Sequence, residues 1–147
     1  MEIKKVISDK KEFLELLLLA DEQESMIDRY LERGYMFVLY YNGLKACCVV
    51  TREGEGIYEI KNIATISFFQ RQGYGKRLIQ FLFDHYRGKC SEMLVGTGDA
   101  PSTLYFYEHC GFTISHRLKN FFTDNYDHPM YEDGKQLVDM VYLKKTF

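Results

Sequence analysis

The sequence predicts an α/β chain, and three observations carry that expectation. An apolar, β-favouring run (Ile57, Tyr58, Ile60, Ile63, Ala64, Ile66) leads into the turn Gln70-Arg71-Gln72-Gly73-Tyr74-Gly75-Lys76, and an amphipathic run leaves it, which is the order strand, turn, helix. Residues 35–41 and 45–51 are β-rich and flank Asn42-Gly43, a hairpin signal because both central positions need positive φ, so antiparallel pairing is expected there. The 147 residues, 46% hydrophobic and 16% aromatic, suit one domain over 1–147 with a sizeable core.

Taken in order, residues 3–7 suit a first strand. Ser8-Asp9 then offers an N-cap to an apolar helix carrying Phe13, Leu14, Leu16, Leu17 and Leu18. Residues 21–24 break that helix, and 25–32 read as a short second one with Met26, Ile27, Tyr30 and Leu31, closed by Gly34. After the hairpin, Glu53-Gly54-Glu55-Gly56 turns the chain into the strand that begins at Ile57. Beyond the glycine turn, Leu78, Ile79, Leu82, Phe83 and Tyr86 form one apolar stripe, with Lys76, Arg77, Gln80 and Asp84 largely off it, and Arg87-Gly88 ends the helix. A short strand at 93–96, a helix at 102–110 and a strand at 112–118 follow. Residues 120–135 form a long connection too broken to be a helix, and 137–143 supply the strand that closes the sheet. There is no internal repeat, low-complexity segment or linker.

A formal net charge of −2 argues against a nucleic-acid partner, which would need a basic stripe, and is compatible with a cationic small molecule or peptide amine. The four cysteines show neither zinc-ligand spacing nor a catalytic cysteine signature, so reduced, mostly buried thiols and no metal are expected. Adjacent Cys47 and Cys48 point to opposite faces of a strand. The start Met1-Glu2-Ile3-Lys4-Lys5 has no export-signal character. The apolar run at 13–20 is interrupted by Glu15 and too short to span a bilayer, so a cytoplasmic protein without a membrane partner is expected.

The glycine turn has a chemical consequence. The first N–H groups of a helix have no partner within it, the helix dipole adds positive character there, and Gly73 and Gly75 allow a sharp turn and close approach of a ligand oxygen. Phosphate is the expected guest. A Walker loop is excluded, since it needs glycine where Gln70 stands and Ser or Thr where Arg77 stands; a dinucleotide fingerprint needs glycine where Leu78 stands.

The turn Gln70-Arg71-Gln72-Gly73-Tyr74-Gly75 resembles the acyl-CoA turn of the GNAT superfamily of N-acetyltransferases, Gln/Arg-x-x-Gly-x-Gly/Ala. Downstream, Leu104-Tyr105-Phe106-Tyr107-Glu108-His109-Cys110-Gly111-Phe112 is similar to that family's Leu/Phe-Tyr-Glu-Lys-x-Gly-Phe segment. The resemblance covers nearly the whole chain. It implies an α/β (α+β) fold whose mixed, mainly antiparallel sheet of about six to seven strands is flanked by helices. It also implies acetyl transfer from acetyl-CoA, as co-substrate, to a primary amine by direct attack.

The same resemblance nominates residues. Gln70, Arg71, Gln72, Gly73, Tyr74, Gly75 and Lys76 bind the cofactor, with Arg71, Lys76 and Arg77 offering charge to its phosphates. The backbone N–H groups of Ile63, Ala64 and Thr65 orient the thioester carbonyl. An attacking amine must lose a proton, which a carboxylate can take, and Glu59 lies where a subset of the family carries its base. Strict alternation would put Glu59 on the face of Lys61 and Ile63, unless a bulge intervenes. Tyr107 is placed to protonate the leaving thiolate, whereas Tyr105 packs or touches the cofactor. The family often has Asn where this chain has Ala100, beside Asp99, so that contact to the CoA arm is not carried over.

For the acceptor, the resemblance points to Asp21, Glu22, Glu24 and Asp28. Asp124, Asp127, Glu132 and Asp133, set among Phe121, Phe122, Tyr126, His128 and Tyr131, suit a cation through charge and π-face contact. Two other classes fit the same residues. A non-catalytic acyl-CoA sensor would keep the turn without needing Glu59 or Tyr107, and a structural dimerisation module would not bind CoA at all. The sequence is compatible with a homodimer and does not name the acceptor.

Overall fold

A computed structural model describes residues 1–147. A seven-stranded mixed sheet runs through it. Strand β1 (Glu2–Val6) pairs antiparallel with β2 (Tyr35–Tyr40), β2 with β3 (Leu44–Gly54), and β3 with β4 (Ile57–Thr65). Strand β5 (Glu92–Gly98) lies parallel to β4, and the last strand, β9 (Met140–Thr146), is inserted antiparallel between β5 and β6 (Thr113–Leu118). The chain's final strand therefore lies inside the sheet, and the exposed strand β6 forms one edge with β1 at the other.

Each face of the sheet has its own core. Helix α3 (Tyr74–Tyr86) lays Leu78, Ile79, Leu82, Phe83 and Tyr86 on one face, where they meet Cys48, Val50, Ile60 and Val95, and Tyr107 and Phe112 belong to the same cluster. Helix α1 (Leu14–Ala20) and α2 (Glu24–Ile27) cover the other face with Leu16, Leu17 and Ile27 against Cys47, Val49 and Ala64. Cys47 and Cys48 do point into opposite cores, and all four cysteines are free thiols. No helix is long and apolar enough to cross a membrane.

The first helical region departs from expectation. Asp9 has a φ of 52° and gives no side-chain cap; a 3₁₀ turn, Lys10–Phe13, precedes α1 instead. The second helix stops at Ile27 rather than Glu32, and hydrogen-bonded turns carry the chain to Gly34. A buried ammonium holds those turns. Lys10 Nζ donates to the carbonyls of Leu31, Glu32 and Gly34 at 2.9, 3.2 and 2.7 Å. Lys10→Met strands these acceptors in a site only 8% exposed and should destabilise the protein by about 3 kcal/mol in urea unfolding.

The connection after β6 is also more regular than its sequence suggested. It contains a short helix α5 (Phe121–Asn125) and a small hairpin of β7 (Tyr131–Glu132) and β8 (Lys135–Gln136). Asp133 and Gly134 turn that hairpin with φ of 53° and 73°, the same chemistry as Asn42-Gly43 at 52° and 100°. Phe122, Met130 and Leu137 bury against one another beneath the segment.

Candidate active site

The parallel pair β4 and β5 stays in register only from Ile57–Glu92 to Ile60–Val95; both strands then continue without pairing to each other. A bulge marks the parting, because Val49 of β3 faces Asn62 while the next residue, Val50, faces Ile60, leaving Lys61 without an opposite number. Its effect is to change which residues share a face. Ile60 and Ile63 both pack into the α3 core, whereas Asn62 reaches the carbonyl of Leu17 on α1. Glu59 thus falls on the side of Asn62 and Ala64 rather than that of Ile63, so strict alternation is corrected by the bulge.

A cavity of about 280 Å³ opens at the parting, walled on that side by the α1–α2 region and the late segment and reaching between the strands to Ile63 and Tyr107 of the α3-face core. Glu59 and Tyr107 both line it. Glu59 is 6% exposed; it accepts the Tyr142 hydroxyl at 3.0 Å and pairs with Lys61 Nζ at 2.9 Å. His116 stacks on the Tyr142 ring at 4.9 Å, which fixes the ring that holds Glu59. Tyr107, on helix α4 (Pro101–His109), is buried, and burial pushes its hydroxyl far above the usual phenol range. Tyr105 is exposed and stacks on His109 instead.

At the turn, Arg71 and Gly73 take φ of 64° and 90°, and Gly73 is the residue from which α3 springs. The backbone N–H groups of Arg71, Gln72, Gly73, Tyr74, Gly75 and Lys76 find no acceptor in the protein; the first paired amide is Arg77, which donates to the Gly73 carbonyl at 3.0 Å. A Cβ on Gly73 would meet nothing within 4 Å, so the space beside this residue is open. Gly75 differs: a Cβ there would lie 3.1 Å from Phe106, so its bareness serves the packing of α4 rather than ligand approach. Gln70 donates to the Thr65 carbonyl at 3.3 Å and ties the turn to the end of β4. Gln72, Arg71 and Lys76 are exposed. Tyr74 is only 8% exposed and sits in the core, so its backbone alone is available to a ligand.

Ile63 and Thr65 are half-buried and Ala64 is buried. Past Ile60 their strand keeps β3 on one edge only, and alternate residues turn their N–H groups to the parted edge. Ala100 is fully buried, and Asp99 is engaged by Arg117 at 2.9 Å and Lys135 at 3.6 Å, which holds its carboxyl below the usual range.

The acids expected near the acceptor divide. Asp21, Glu22 and Glu132 line the cavity. Glu24 and Asp28 do not; both pair with Lys11 on the surface at 2.8 Å. Asp124 and Asp127 lie outside the cavity, and Asp133 caps α4 by accepting the Ser102 amide at 3.1 Å. Glu132 accepts the Thr103 hydroxyl. Phe121, Phe122, Tyr126 and Tyr131 line the wall, whereas His128 does not.

Four residues of this site have no site role legible in the sequence: Tyr30, Lys61, Asn62 and Tyr142. Asn62 carried a signal, being a polar residue inside an apolar strand, and it is 2% exposed. Nothing local marked Tyr142, because its partner Glu59 is remote in sequence. No group of three or more His, Cys, Asp or Glu side chains is gathered as a metal site.

A two-faced mixed sheet, parted between its parallel strands and with open helix N–H donors beside the parting, defines an acetyltransferase class. The family model for the acetyltransferase (GNAT) domain matches residues 32–114. The chain is 33% identical over 135 residues to the uncharacterized N-acetyltransferase YvbK of Bacillus subtilis, covering 90% of this chain and 87% of that one. Among solved structures, a GNAT family acetyltransferase from Elizabethkingia anophelis with acetyl-CoA bound superposes with a TM-score of 0.94 at 34% identity, over 99% of this chain and 97% of that chain. A Bacillus subtilis acetyltransferase in complex with CoA gives 0.91 at 31% identity, over 99% and 98%. The chain belongs to the GNAT acetyltransferase family.

Proposed function

We propose that the protein transfers an acetyl group from acetyl-CoA to a primary amine, either a small molecule or a peptide, by direct attack and without an acyl-enzyme. Two observations carry this reading together: the unbroken run of unpartnered N–H groups from Arg71 to Lys76 at the start of α3, and a cavity at the parted strands that holds both Glu59 and Tyr107. The residues fit a CoA ligand, since free donors at a helix start suit a diphosphate and Gly73 leaves the approach open. The E. anophelis and B. subtilis relatives, crystallised with acetyl-CoA and CoA, support the same ligand.

Acetyl-CoA supplies the activated acetyl thioester. The main-chain donors of the turn hold its phosphates, with Arg71 and Lys76 adding charge at the rim. Alternate N–H groups of Ile63, Ala64 and Thr65 orient the carbonyl. Glu59 takes the proton the amine must lose as its nitrogen bonds to the carbonyl carbon. Tyr107 gives its proton to the sulfur as the carbon–sulfur bond breaks. The hydroxyl is protonated at neutral pH, as a phenol is, which is the state an acid needs.

Mass spectrometry of an amine panel incubated with acetyl-CoA tests the reading: acetylated product should form in step with CoA release. Tight CoA binding with no turnover on any amine would instead favour a sensor. Tyr107→Phe should lower turnover about 100-fold while leaving acetyl-CoA affinity unchanged in calorimetry. Unaltered turnover would remove the tyrosine from the chemistry.

A further inference from the structure

Asp21 is 8% exposed on the cavity wall. Its two carboxylate oxygens accept the Tyr126 hydroxyl at 2.6 Å and the Tyr30 hydroxyl at 2.9 Å, and both donors are neutral. No cationic side chain lies within ion-pair distance, 4.0 Å; Arg29, the cation it senses, bonds Asn125 at 3.3 Å. Burial pushes the carboxyl upward, opposed by the two hydroxyls and by the more distant charge of Arg29, which lines the same cavity without pairing with it.

A second atom shares this condition. Asn62 donates to the Tyr30 hydroxyl at 3.1 Å and to the Leu17 carbonyl, yet its Oδ1 has no partner although the residue is 2% exposed and lines the cavity. Around these acceptors stand aromatic rings, with Phe122 stacked on Tyr126 at 5.7 Å. A carboxylate, an orphaned amide oxygen and π-faces are together complementary to a cation.

We infer that Asp21, with Asn62, Tyr30 and Tyr126, forms a subsite for a second positive charge on the acceptor, which makes the acceptor a diamine or similar dication rather than a simple monoamine. The inference rests on the proposed function only in assigning the reacting amine to Glu59.

Calorimetric titration of putrescine against butylamine, on free protein and on protein saturated with CoA, tests it. Putrescine should bind at least about tenfold more tightly, and Asp21→Asn should erase the difference while leaving butylamine unaffected. Equal binding of the two amines by the wild type overturns the subsite, as does an equal loss of both in Asp21→Asn, which would make Asp21 only a clasp between the α1–α2 region and the late segment. If that variant does not fold, intermolecular NOEs on the wild type decide: contacts from putrescine methylenes to the Tyr30 and Tyr126 rings are expected, and contacts confined to other residues overturn the proposal. Failure of CoA to bind would sink the acetyl-transfer reading alone, because the diamine preference is read on free protein as well.

Discussion

Gly73→Glu should weaken acetyl-CoA binding by about 100-fold or more, the largest effect expected of any single change in the turn. Two physical terms add. At a φ of 90° any Cβ is strained, at roughly 1–2 kcal/mol, so the turn itself shifts. The new carboxylate also brings a negative charge next to the unpaired amides of residues 71–76, where it repels a diphosphate and competes for its donors. Gly73→Ala separates the terms, keeping the strain without the charge, and should lose roughly tenfold. Calorimetry with CoA reads both; an unchanged affinity in Gly73→Glu would place the ligand elsewhere and end the assignment. Gly75→Ala should act by another route, disturbing Phe106 rather than the ligand.

Glu59→Gln should lower turnover by about 100- to 10,000-fold with acetyl-CoA affinity retained, because it removes a proton acceptor and nothing else in the cofactor turn. The amide is isosteric and can still accept the Tyr142 hydroxyl, so the fold should persist. Lys61 and Tyr142 both contact the carboxylate and, with Glu59 as the proposed base, position it. Tyr142→Phe removes a hydrogen bond of 3.0 Å and should move the pH dependence of turnover while leaving most of the rate. Turnover preserved in Glu59→Gln would assign proton removal to another group. Glu132, another carboxylate lining the same cavity, is then the residue to substitute next.

Much of the architecture is written locally. Asn42-Gly43 announces its hairpin because two successive left-handed residues suit few other dipeptides, and β2 and β3 pair across it. The stripe of Leu78, Ile79, Leu82 and Phe83 announces α3 and its buried face for the same kind of reason, a period that only a helix satisfies. Asp133-Gly134 carried an equally clear signal, but the strands beside it are two residues each, too short to show alternation. Spacing alone extends the second helix too far, because its apolar residues continue at helical intervals through Tyr30 and Leu31, while the backbone there turns to present carbonyls to Lys10. That ammonium lies some twenty residues upstream, beyond any local window.

The sequence by itself determined the open turn at Gly73, the two-faced strands with Cys47 and Cys48 in opposite cores, and the helix that follows, since each depends on residues within a few positions of one another. Only the tertiary structure decided that a bulge at Lys61 turns Glu59 toward the cavity, that Tyr142 and Lys61 hold it, and that Asp21 is buried between Tyr30 and Tyr126. Those arrangements join residues as far as 105 positions apart. A strand's face reverses with one extra residue, and a charge's partner is chosen by packing, so neither can be read from spacing along the chain.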